Sequence, residues 1–366
     1  MNKNIIITCN TYYQLIMAVQ ISKHLKQKDN VTLILTDQSN NASQVYNNIK
    51  NTDVFNKVYF IKNRSQNIKQ SSLLKFLKDI YCVITGKSNI YDECFDGTIY
   101  DELIIFNPDL TTHFLYHRLL TSNPDLIVSR YEEGIISYPV TFPKSPYMKL
   151  NIAYKIRKIL GRKNLAELVK YFYCVYPSLY NGEEATVKIP EISQSDAQLK
   201  ACISTIFDID ITKLSYPQKY IYFSSVYDFE GDSPIGELDL IIKISNAVGK
   251  DNLLVKVHPR DNIQRFIDAG LMTDSNSSFP WEAIQLNYDF SRHIFLTAAS
   301  GSVLSVNAVI TDKAETYFLY PLCNIEKNSA AKHSAFVISE LCSKADLLKN
   351  FYIADNIDSI VHNQQQ

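Results

Sequence analysis

Short apolar segments alternate along the chain with longer segments in which apolar residues recur at helical spacing. At the start, residues 4–9 (NIIITC) predict a buried strand, residues 15–25 (LIMAVQISKHL) a helix, and residues 31–36 (VTLILT) a second strand. A strand, a helix and a strand in this order form a βαβ unit, whose two strands lie parallel in one sheet. The chain therefore opens as an α/β protein.

The same alternation continues to about residue 309. Further strands are predicted at 58–61, 102–107, 126–130, 220–225, 253–257 and 293–297, and helices within 63–81 and at 111–120, 149–163, 197–206, 238–248, 263–269, 281–286 and 304–309. Periodicity is lost over 180–195, which indicates a boundary between domains. We expect two Rossmann-like doubly wound domains that face a central cleft, at residues 1–185 and 186–345. Residues 346–366 are expected to form a tail that packs back on the first domain.

Composition places the chain among soluble globular proteins. Of its 366 residues, 46% are hydrophobic and 20% are charged, and the net charge of -1 argues against a nucleic-acid binder. The seven cysteines are scattered without metal-binding spacing, so we expect neither disulfides nor a zinc site, and a reducing, cytoplasmic compartment fits. We see no signal peptide and no apolar stretch of about 20 residues that would cross a membrane. The absence of GxGxxG after the first strand argues against the usual dinucleotide site.

The strand at 253–257 ends in His258-Pro259-Arg260. Pro259 cannot donate to a sheet and favours an extended conformation at His258, so the strand should stop there. Ligands bind at the carboxyl ends of strands in open α/β sheets, and this corner would hold an imidazole and a permanent cation there. The pair suits an anionic ligand, above all a phosphate. The alternative is an ordinary proline turn with a solvated histidine.

A second polar motif, Glu132-Glu133-Gly134, follows the strand at 126–130. Gly134 allows a sharp turn, which would place one carboxylate at the carboxyl end of the sheet. One member of a close carboxylate pair can have a raised pKa and act as a base near neutral pH. The alternative is that both glutamates cap the next helix or lie in solvent.

A third motif lies between the strand at 293–297 and the helix after it, where Ser300-Gly301-Ser302 offers hydroxyls and small residues. Backbone N–H groups and the helix dipole favour an anion at such a place, although serine is also a common helix cap. Asp208-Ile209-Asp210 matches the DxD of metal-dependent transferases only superficially. We interpret it as a turn and expect no metal site.

These motifs together suit the transfer of a sugar from a nucleotide. A carboxylate would deprotonate the acceptor hydroxyl, and histidine, arginine and hydroxyl groups would stabilise the leaving phosphate without a metal ion. The basic segment 149–163 suits anionic lipid or an anionic acceptor, although such a run is more often a solvated helix face.

In their order and spacing, the three motifs resemble the signature of bacterial sialyltransferases. The opening strand with TYYQLI and the His-Pro-Arg triplet are most similar to glycosyltransferase family 52, which includes lipooligosaccharide and capsular polysaccharide sialyltransferases. The resemblance implies a GT-B architecture, CMP-sialic acid as the donor substrate, inversion at the anomeric carbon, and no metal or other cofactor. It also implies a galactose-terminated glycan as acceptor.

The resemblance further implies roles for individual residues. His258 would protonate or hydrogen-bond the CMP phosphate, and Glu133 would be the favoured base, with Glu132 and the acidic loop that includes Asp228, Glu230 and Asp232 as alternatives. The candidate substrate-binding and nucleotide-binding residues are Arg260, Ser300, Ser302, Pro259, Gly301, Asn10 and Gln14.

The expected partners are the donor and an oligosaccharide or lipid-linked acceptor, and no nucleic acid. Peripheral association with the inner face of the cell membrane and a homodimer are compatible with the resemblance. Two other functions stay open: a GT-B transferase that uses another nucleotide-sugar, and a non-catalytic protein that binds nucleotides or glycans.

Overall fold

The computed structural model describes residues 2–24, 28–63, 73–86, 91, 96–134, 137–138, 148–229, 232–276, 279–300, 303, 307–311, 314–343 and 349–362. The chain divides into two compact units. The first comprises Met1–Glu133, Ser137–Pro190 and Ala201–Asp208, and the second comprises Gly134–Ile136, Glu191–Lys200 and Ile209–Gln366.

The first unit is built on a parallel sheet. Its strands are β1 (Asn4–Cys9), β2 (Asn30–Thr36), β3 (Lys57–Ile61), β4 (Glu102–Ile105), β5 (Ile127–Tyr131), β6 (Val169–Cys174) and β7 (Ala185–Lys188), in the spatial order β3-β2-β1-β4-β5-β6-β7. The order reverses between β1 and β4. In doubly wound sheets such a reversal opens a crevice at the carboxyl ends of the two strands.

Helices connect these strands, as a parallel sheet requires. They are α1 (Tyr12–His24), α2 (Ala42–Ile49), α3 (Leu73–Thr85), α4 (Leu110–Leu120) and α5 (Met148–Ile159). Helix α6 (Ala197–Phe207) follows β7, and its residues 197–200 belong to the second unit and 201–207 to the first. One core cluster joins Ile6, Leu103 and Val128 of the sheet to Leu115 and Leu119 of α4. Strands such as β1 and β4 are buried and largely apolar because helices cover the sheet.

The second unit repeats this plan. Its strands are β8 (Tyr220–Phe223), β9 (Leu253–Lys256), β10 (Met272–Thr273), β11 (Ile294–Thr297), β12 (Glu315–Phe318) and β13 (Phe351–Ile353), all parallel, in the order β10-β9-β8-β11-β12-β13. The helices are α7 (Glu237–Val248), α8 (Ile263–Asp268), α9 (Trp281–Asn287), α10 (Ser329–Cys342) and α11 (Asp358–His362). Here the order reverses between β8 and β11. None of the described helices is both long and apolar enough to cross a bilayer.

The two doubly wound parallel sheets confirm the predicted fold class. Each predicted strand lies within two residues of its observed bounds, whereas β6, β7, β10, β12 and β13 were not predicted. β7 falls in the segment 180–195, where the pattern has no periodicity, and β10 is only two residues long. Residues 64–72 of the helix predicted within 63–81, and 304–306 of the one predicted at 304–309, lie outside the described residues.

The division of the chain differs from the predicted one. The first unit runs to Pro190 and includes Ala201–Asp208, so the boundary is not a single point near residue 185. The predicted tail, 346–366, belongs to the second unit, because β13 pairs with β12 and both Ala354 and Ile360 are buried in that unit's core. These apolar residues complete the second sheet and its covering layer, which corrects the expectation of a separate tail.

Asn307 ties together the chain on either side of β12. Its Oδ1 accepts from Gln285 Nε2 at 2.9 Å and from the Ala314 N–H at 3.1 Å, and its Nδ2 donates to Ala314 O at 2.6 Å and to Thr316 Oγ1 at 2.8 Å. Asn307 has no exposed surface. Both halves of its amide are therefore satisfied in the interior.

We expect Asn307→Ala to lower the free energy of unfolding by about 3 kcal/mol, since several buried polar groups lose their partner at once. The midpoint of urea unfolding measures the change. Asn246→Ala, on the exposed side of α7, is the matched control and should leave the midpoint unchanged. Equal midpoints for the two variants would contradict the structural role of Asn307.

Candidate functional site

Polar side chains of the first unit gather at the carboxyl ends of three neighbouring strands. Asn10 follows β1, Asp109 follows β4 as the N-cap of α4, and Glu132 and Glu133 follow β5. Because β1, β4 and β5 are adjacent and parallel, these residues lie at one edge of the sheet, beside its reversal point.

Glu132 is fully buried at this edge. Its carboxylate accepts hydrogen bonds from the Tyr13 hydroxyl at 2.7 Å, from the Val175 N–H at 2.9 Å, and from the Tyr138 hydroxyl. Burial raises the pKa of this carboxyl group, and the three donors oppose the rise. Glu132 is thus an anchor that holds the end of β5 against its neighbours.

Glu133 has a different environment. Its side chain remains exposed, and its Oε1 accepts a hydrogen bond of 2.6 Å from Gln14 Nε2. Desolvation by the surrounding protein raises the pKa of its carboxyl group to about 7, the bond from Gln14 lowers it, and the charge of Asp109 raises it. Because solvent still reaches the side chain, we expect the pKa to lie at or below that value. Gly134 has a φ of +89°, which confirms that the turn after the pair requires glycine.

Asn10 and Gln14 connect Glu133 to the loops around it. Gln14 Oε1 accepts from the Asn10 N–H at 2.7 Å and the Thr11 N–H at 3.2 Å, and Asn10 Nδ2 donates to Asp109 Oδ2 at 3.2 Å. Both side chains are buried. The structure therefore gives them a positioning role toward Glu133, and their direct contact with substrate stays a prediction.

In the second unit, His258 lies two residues beyond the end of β9, next to the end of β8. Its N–H donates to Ser224 Oγ at 2.9 Å, and its Nδ1 accepts from the Arg260 N–H at 3.1 Å. With Nδ1 occupied as an acceptor, the neutral imidazole carries its proton on Nε2. Pro259 and Arg260 are exposed at this corner. The His-Pro-Arg triplet thus forms a turn that fixes the histidine tautomer.

The turn at His258 is held in place by Arg265 of α8. Its guanidinium donates to Asp261 Oδ2 at 2.6 Å and to Asp228 Oδ2 at 3.1 Å, and the Asp261 N–H donates to His258 O at 2.8 Å. Asp228 in turn accepts from backbone N–H groups of residues 235–238 at the start of α7. One arginine therefore joins the histidine corner to the N-terminus of α7.

A buried carboxyl group on α7 supports the loop after β8, which contacts the His258 turn. Glu237 of α7 has no exposed surface and accepts from the Ser225 N–H, from Ser225 Oγ at 2.6 Å and from the Tyr222 hydroxyl at 3.1 Å. Desolvation raises its pKa to about 7, against the effect of these donors. Glu237 fixes the loop after β8 that also carries Ser224.

The other predicted residues of the second unit have these positions. Ser300 follows β11, is buried, and donates its backbone N–H to Thr297 Oγ1 at 3.0 Å; Gly301 and Ser302 lie outside the described residues. Asp232 is exposed and accepts from the Ser329 N–H at 3.3 Å, and hydrogen bonding with the side chain and then the backbone of Ser329 lowers its pKa. A lowered pKa and a place at the start of α10 disfavour Asp232 as a general base.

The Asp208-Ile209-Asp210 segment forms a turn, as predicted. Asp210 Oδ1 accepts from the Thr212 N–H and hydroxyl, and its Oδ2 lies 3.0 Å from Lys213 Nζ. These partners lower the pKa of Asp210 to about 2. Among the residues that the structure describes, no cluster of three or more histidine, cysteine, aspartate or glutamate side chains could hold a metal ion.

Sequence reasoning missed Asp109, Ser224, Arg265 and Glu237. Asp109 has a local signal, because its side chain and Thr112 form a capping box at the start of α4. Asp261 and Arg265 are an i,i+4 pair of opposite charge, but this spacing alone is typical of any helix start. The contacts of Glu237 with the loop after β8 have no signal in the sequence.

Comparison with known proteins identifies the family and the fold of the chain. The alpha-2,8-polysialyltransferase (POLYST) family profile matches residues 5–291, a span that includes Glu132, Glu133 and the His258 turn and ends before Ser300. No curated protein sequence matches the chain. The broader resemblance to sialyltransferases is confirmed, and membership of glycosyltransferase family 52 stays a prediction.

Two solved structures share the fold. The chain is similar to an alpha/beta-galactoside alpha-2,3-sialyltransferase from the luminous marine bacterium Photobacterium phosphoreum, with 12% identity over 98% of this chain and 100% of that chain and a TM-score of 0.53. It is also similar to the glycotransferase of kitacinnamycin, with 7% identity over 98% of this chain and 89% of that chain and a TM-score of 0.52. The expected GT-B fold is confirmed.

We expect Arg265→Met to loosen the histidine corner, because two carboxylates lose their shared partner. Amide hydrogen exchange of residues 258–262 should become at least tenfold faster, while exchange in β8 and β11 should stay the same. Lys243→Met, an exposed cation of α7, is the control. Unchanged exchange at residues 258–262 in Arg265→Met would show that the corner keeps its geometry without this arginine.

Proposed function

The chain belongs to the alpha-2,8-polysialyltransferase family, and we propose that it moves sialic acid from CMP-sialic acid to a hydroxyl group of a glycan, with inversion and without a metal ion. It is a glycosyltransferase of the sialyltransferase kind. The donor, the acceptor, the stereochemistry and the metal independence are the parts that we propose.

The observation that carries this proposal is the fixed tautomer of His258. Nε2 then carries the proton that His258 would donate to a ligand at the carboxyl edge of the second sheet, where a leaving phosphate would gain charge as its bond to the sugar breaks. His258 and Ser300 follow β9 and β11, which flank β8. Two strand spacings place these strand ends roughly 10 Å apart, a span that suits a nucleoside monophosphate.

Arg260 supports an anionic donor because its guanidinium stays charged and lies exposed beside His258. We assign phosphate binding to Arg260, Ser300 and Ser302, and keep Pro259 and Gly301 as predicted substrate-binding residues. These groups would compensate the charge of a single phosphate, which is why we propose that CMP leaves without help from a metal ion.

Glu133 is the base that we propose. A carboxyl group whose pKa is raised toward 7 can take the proton of an acceptor hydroxyl at neutral pH. Glu132 is buried and its carboxylate already accepts three hydrogen bonds, and the pKa of Asp232 is lowered, so both are weaker candidates for the base. The acceptor oxygen would attack the anomeric carbon as the bond to CMP breaks, and the proton would move to Glu133. One displacement of this kind inverts the anomeric configuration.

Two kinds of glycan are candidate acceptors for the transferred sialic acid. The motifs that resemble capsular and lipooligosaccharide enzymes favour a galactose-terminated glycan. The match to the alpha-2,8-polysialyltransferase family favours a glycan that already ends in sialic acid. We also propose a cytoplasmic location, at the inner face of the cell membrane if the acceptor is lipid-linked, and leave a homodimer to be tested by light scattering.

We expect CMP to be released from CMP-sialic acid in excess chelator, and faster with an acceptor than without one. His258→Ala should lower acceptor-stimulated release by about 10²-fold or more, as expected for loss of a general acid. His333→Ala, an exposed histidine of α10, is the matched control. The assay is run with lactose and with a sialic acid-terminated oligosaccharide, so that it also identifies the acceptor.

Several outcomes would contradict parts of this proposal. Activity that is lost in chelator and restored by Mg²⁺ or Mn²⁺ would refute the metal independence. Release from a UDP-sugar, with no thermal stabilisation by CMP, would replace the donor. Stabilisation by CMP without turnover under any condition would favour a non-catalytic nucleotide-binding protein.

The pH dependence of kcat/KM tests the base. Because Glu133 must be ionised to accept a proton, we expect the rate to fall about tenfold per pH unit below its pKa, which lies at or below about 7. Asp109→Asn removes a nearby negative charge and should move this acid limb to lower pH. Gln14→Ala removes a donor to the carboxylate and should move it to higher pH.

Glu133→Gln should lower kcat/KM by at least 10²-fold and abolish the acid limb, while the exposed Glu340→Gln of α10 should behave as the parent enzyme. Asparagine can still cap α4 in Asp109→Asn, so the helix should persist. Shifts of the same sign in Asp109→Asn and Gln14→Ala would rule out Glu133 as the titrating group.

A further inference from the structure

One side of helix α3 exposes large apolar residues to solvent. Leu74, Leu77 and Tyr81 are 81%, 53% and 56% exposed, and their i, i+3, i+7 spacing places them on a single face of the helix. The opposite face carries Ile80 and Val83, which are buried against Phe114 and Ala153. The helix therefore has two apolar faces, of which only one is covered.

Helix α5 and the turn after it have the same character. Ile152 and Ile159 are exposed at positions i and i+7, with the exposed Lys155 between them on the same face, and Leu160 is exposed at the end of the helix. Ala153 and Arg157 point into the unit and are buried.

The two helices form one corner of the first unit. α3 packs against α5, and Arg157 donates to the carbonyl oxygens of Val83 and Ile84 at 3.1 and 3.3 Å. Arg162 donates to Ile84 O at 2.7 Å. These bonds cap the C-terminal end of α3 with cations and hold the two exposed faces as parts of one rigid corner. We call it the α3–α5 corner.

The α3–α5 corner is cationic, in contrast with a chain whose net charge is -1. Its exposed charged residues are Lys78, Lys155, Lys158, Arg162 and Lys163. The segments 73–85 and 148–163 contain a single acidic residue, Asp79, and it is buried. Exposed leucine and isoleucine side chains thus alternate with cations, and no carboxylate on these segments offsets them at the surface.

We propose that the α3–α5 corner binds the surface of an anionic lipid bilayer. Apolar side chains interleaved with lysine and arginine match the boundary between headgroups and acyl chains, where the apolar groups leave water and the cations meet lipid phosphates. A polyanionic glycan would complement the cations but would leave the leucine and isoleucine side chains in water. The proposal does not rest on the identity of the donor or the acceptor.

Sedimentation with lipid vesicles tests this proposal. Vesicles of phosphatidylcholine with one quarter phosphatidylglycerol should bind the full chain, and vesicles of phosphatidylcholine alone should bind it at least tenfold more weakly. Lys155→Gln with Lys158→Gln should weaken binding about fivefold per cation, and this electrostatic part should fade at high salt. Leu74→Ser with Leu77→Ser should weaken it more than tenfold at any salt concentration.

Controls separate this surface from the transfer reaction and from folding. Phe336, on α10 of the second unit, is 62% exposed, which is similar to the exposure of the apolar residues on α3. The Phe336→Ser variant should bind vesicles like the parent chain. All variants should keep the parent's melting temperature and its rate with a soluble acceptor. A chain that transfers no sugar but still binds vesicles would refute the proposed function and leave the lipid surface standing.

Three results would overturn the proposal. The first is the absence of vesicle binding by the parent chain at low salt. The second is binding to a soluble polyanion such as polysialic acid that is tighter than binding to anionic vesicles and is unaffected by the leucine substitutions. The third is a stable dimer by light scattering that Leu74→Ser with Leu77→Ser dissociates, which would make the corner an interface between two copies of the chain.

Discussion

The burial of each parallel sheet beneath helices is the constraint on which the rest of the structure depends. It makes the strands mostly apolar, with few buried polar residues such as Ser129 and Thr316, so the polar groups of a reaction have room in the loops where strands end. Both units follow this rule: Glu133 follows β5 and His258 follows β9, each one strand away from the point where the strand order of its sheet reverses. The family match identifies a glycosyltransferase and the two similar structures share its fold, and the reacting groups that we propose both stand at such strand ends.

Buried and half-buried carboxylates have mainly structural roles in this protein. Glu132 fixes the end of β5, Asp228 caps α7, and Glu237 holds the loop after β8. Each accepts at least three hydrogen bonds, which is what an acid needs in order to remain in the interior. The base proposed here, Glu133, is the carboxylate with a single side-chain partner and with solvent beside it.

The sequence predicted the strands that are continuous apolar runs, such as β1, β9 and β11, together with the places of the three motifs. It did not predict β6, whose first residues are exposed, or β13, a three-residue edge strand whose partner β12 was also missed. The sequence also did not predict the contacts that position the site residues. Gln14 and Glu133 are 119 residues apart in the chain, and only the assembled fold brings them within hydrogen-bond distance. The sequence pattern indicates where a candidate reactive residue lies along the chain, whereas its hydrogen-bond partners are known only from the tertiary structure.

Glu132 and Glu133 are identical residues whose surroundings could hardly differ more. Successive side chains of an extended segment point to opposite sides, so the first is enclosed by two tyrosines and a backbone amide and the second faces outward. The two glutamates therefore have different roles because of their positions along the chain, although their side chains are chemically identical. Deletion of a single residue within β5 would move Glu133 into the enclosed place of Glu132 and Glu132 into the place of Tyr131, which is also buried, so that neither carboxylate would face solvent.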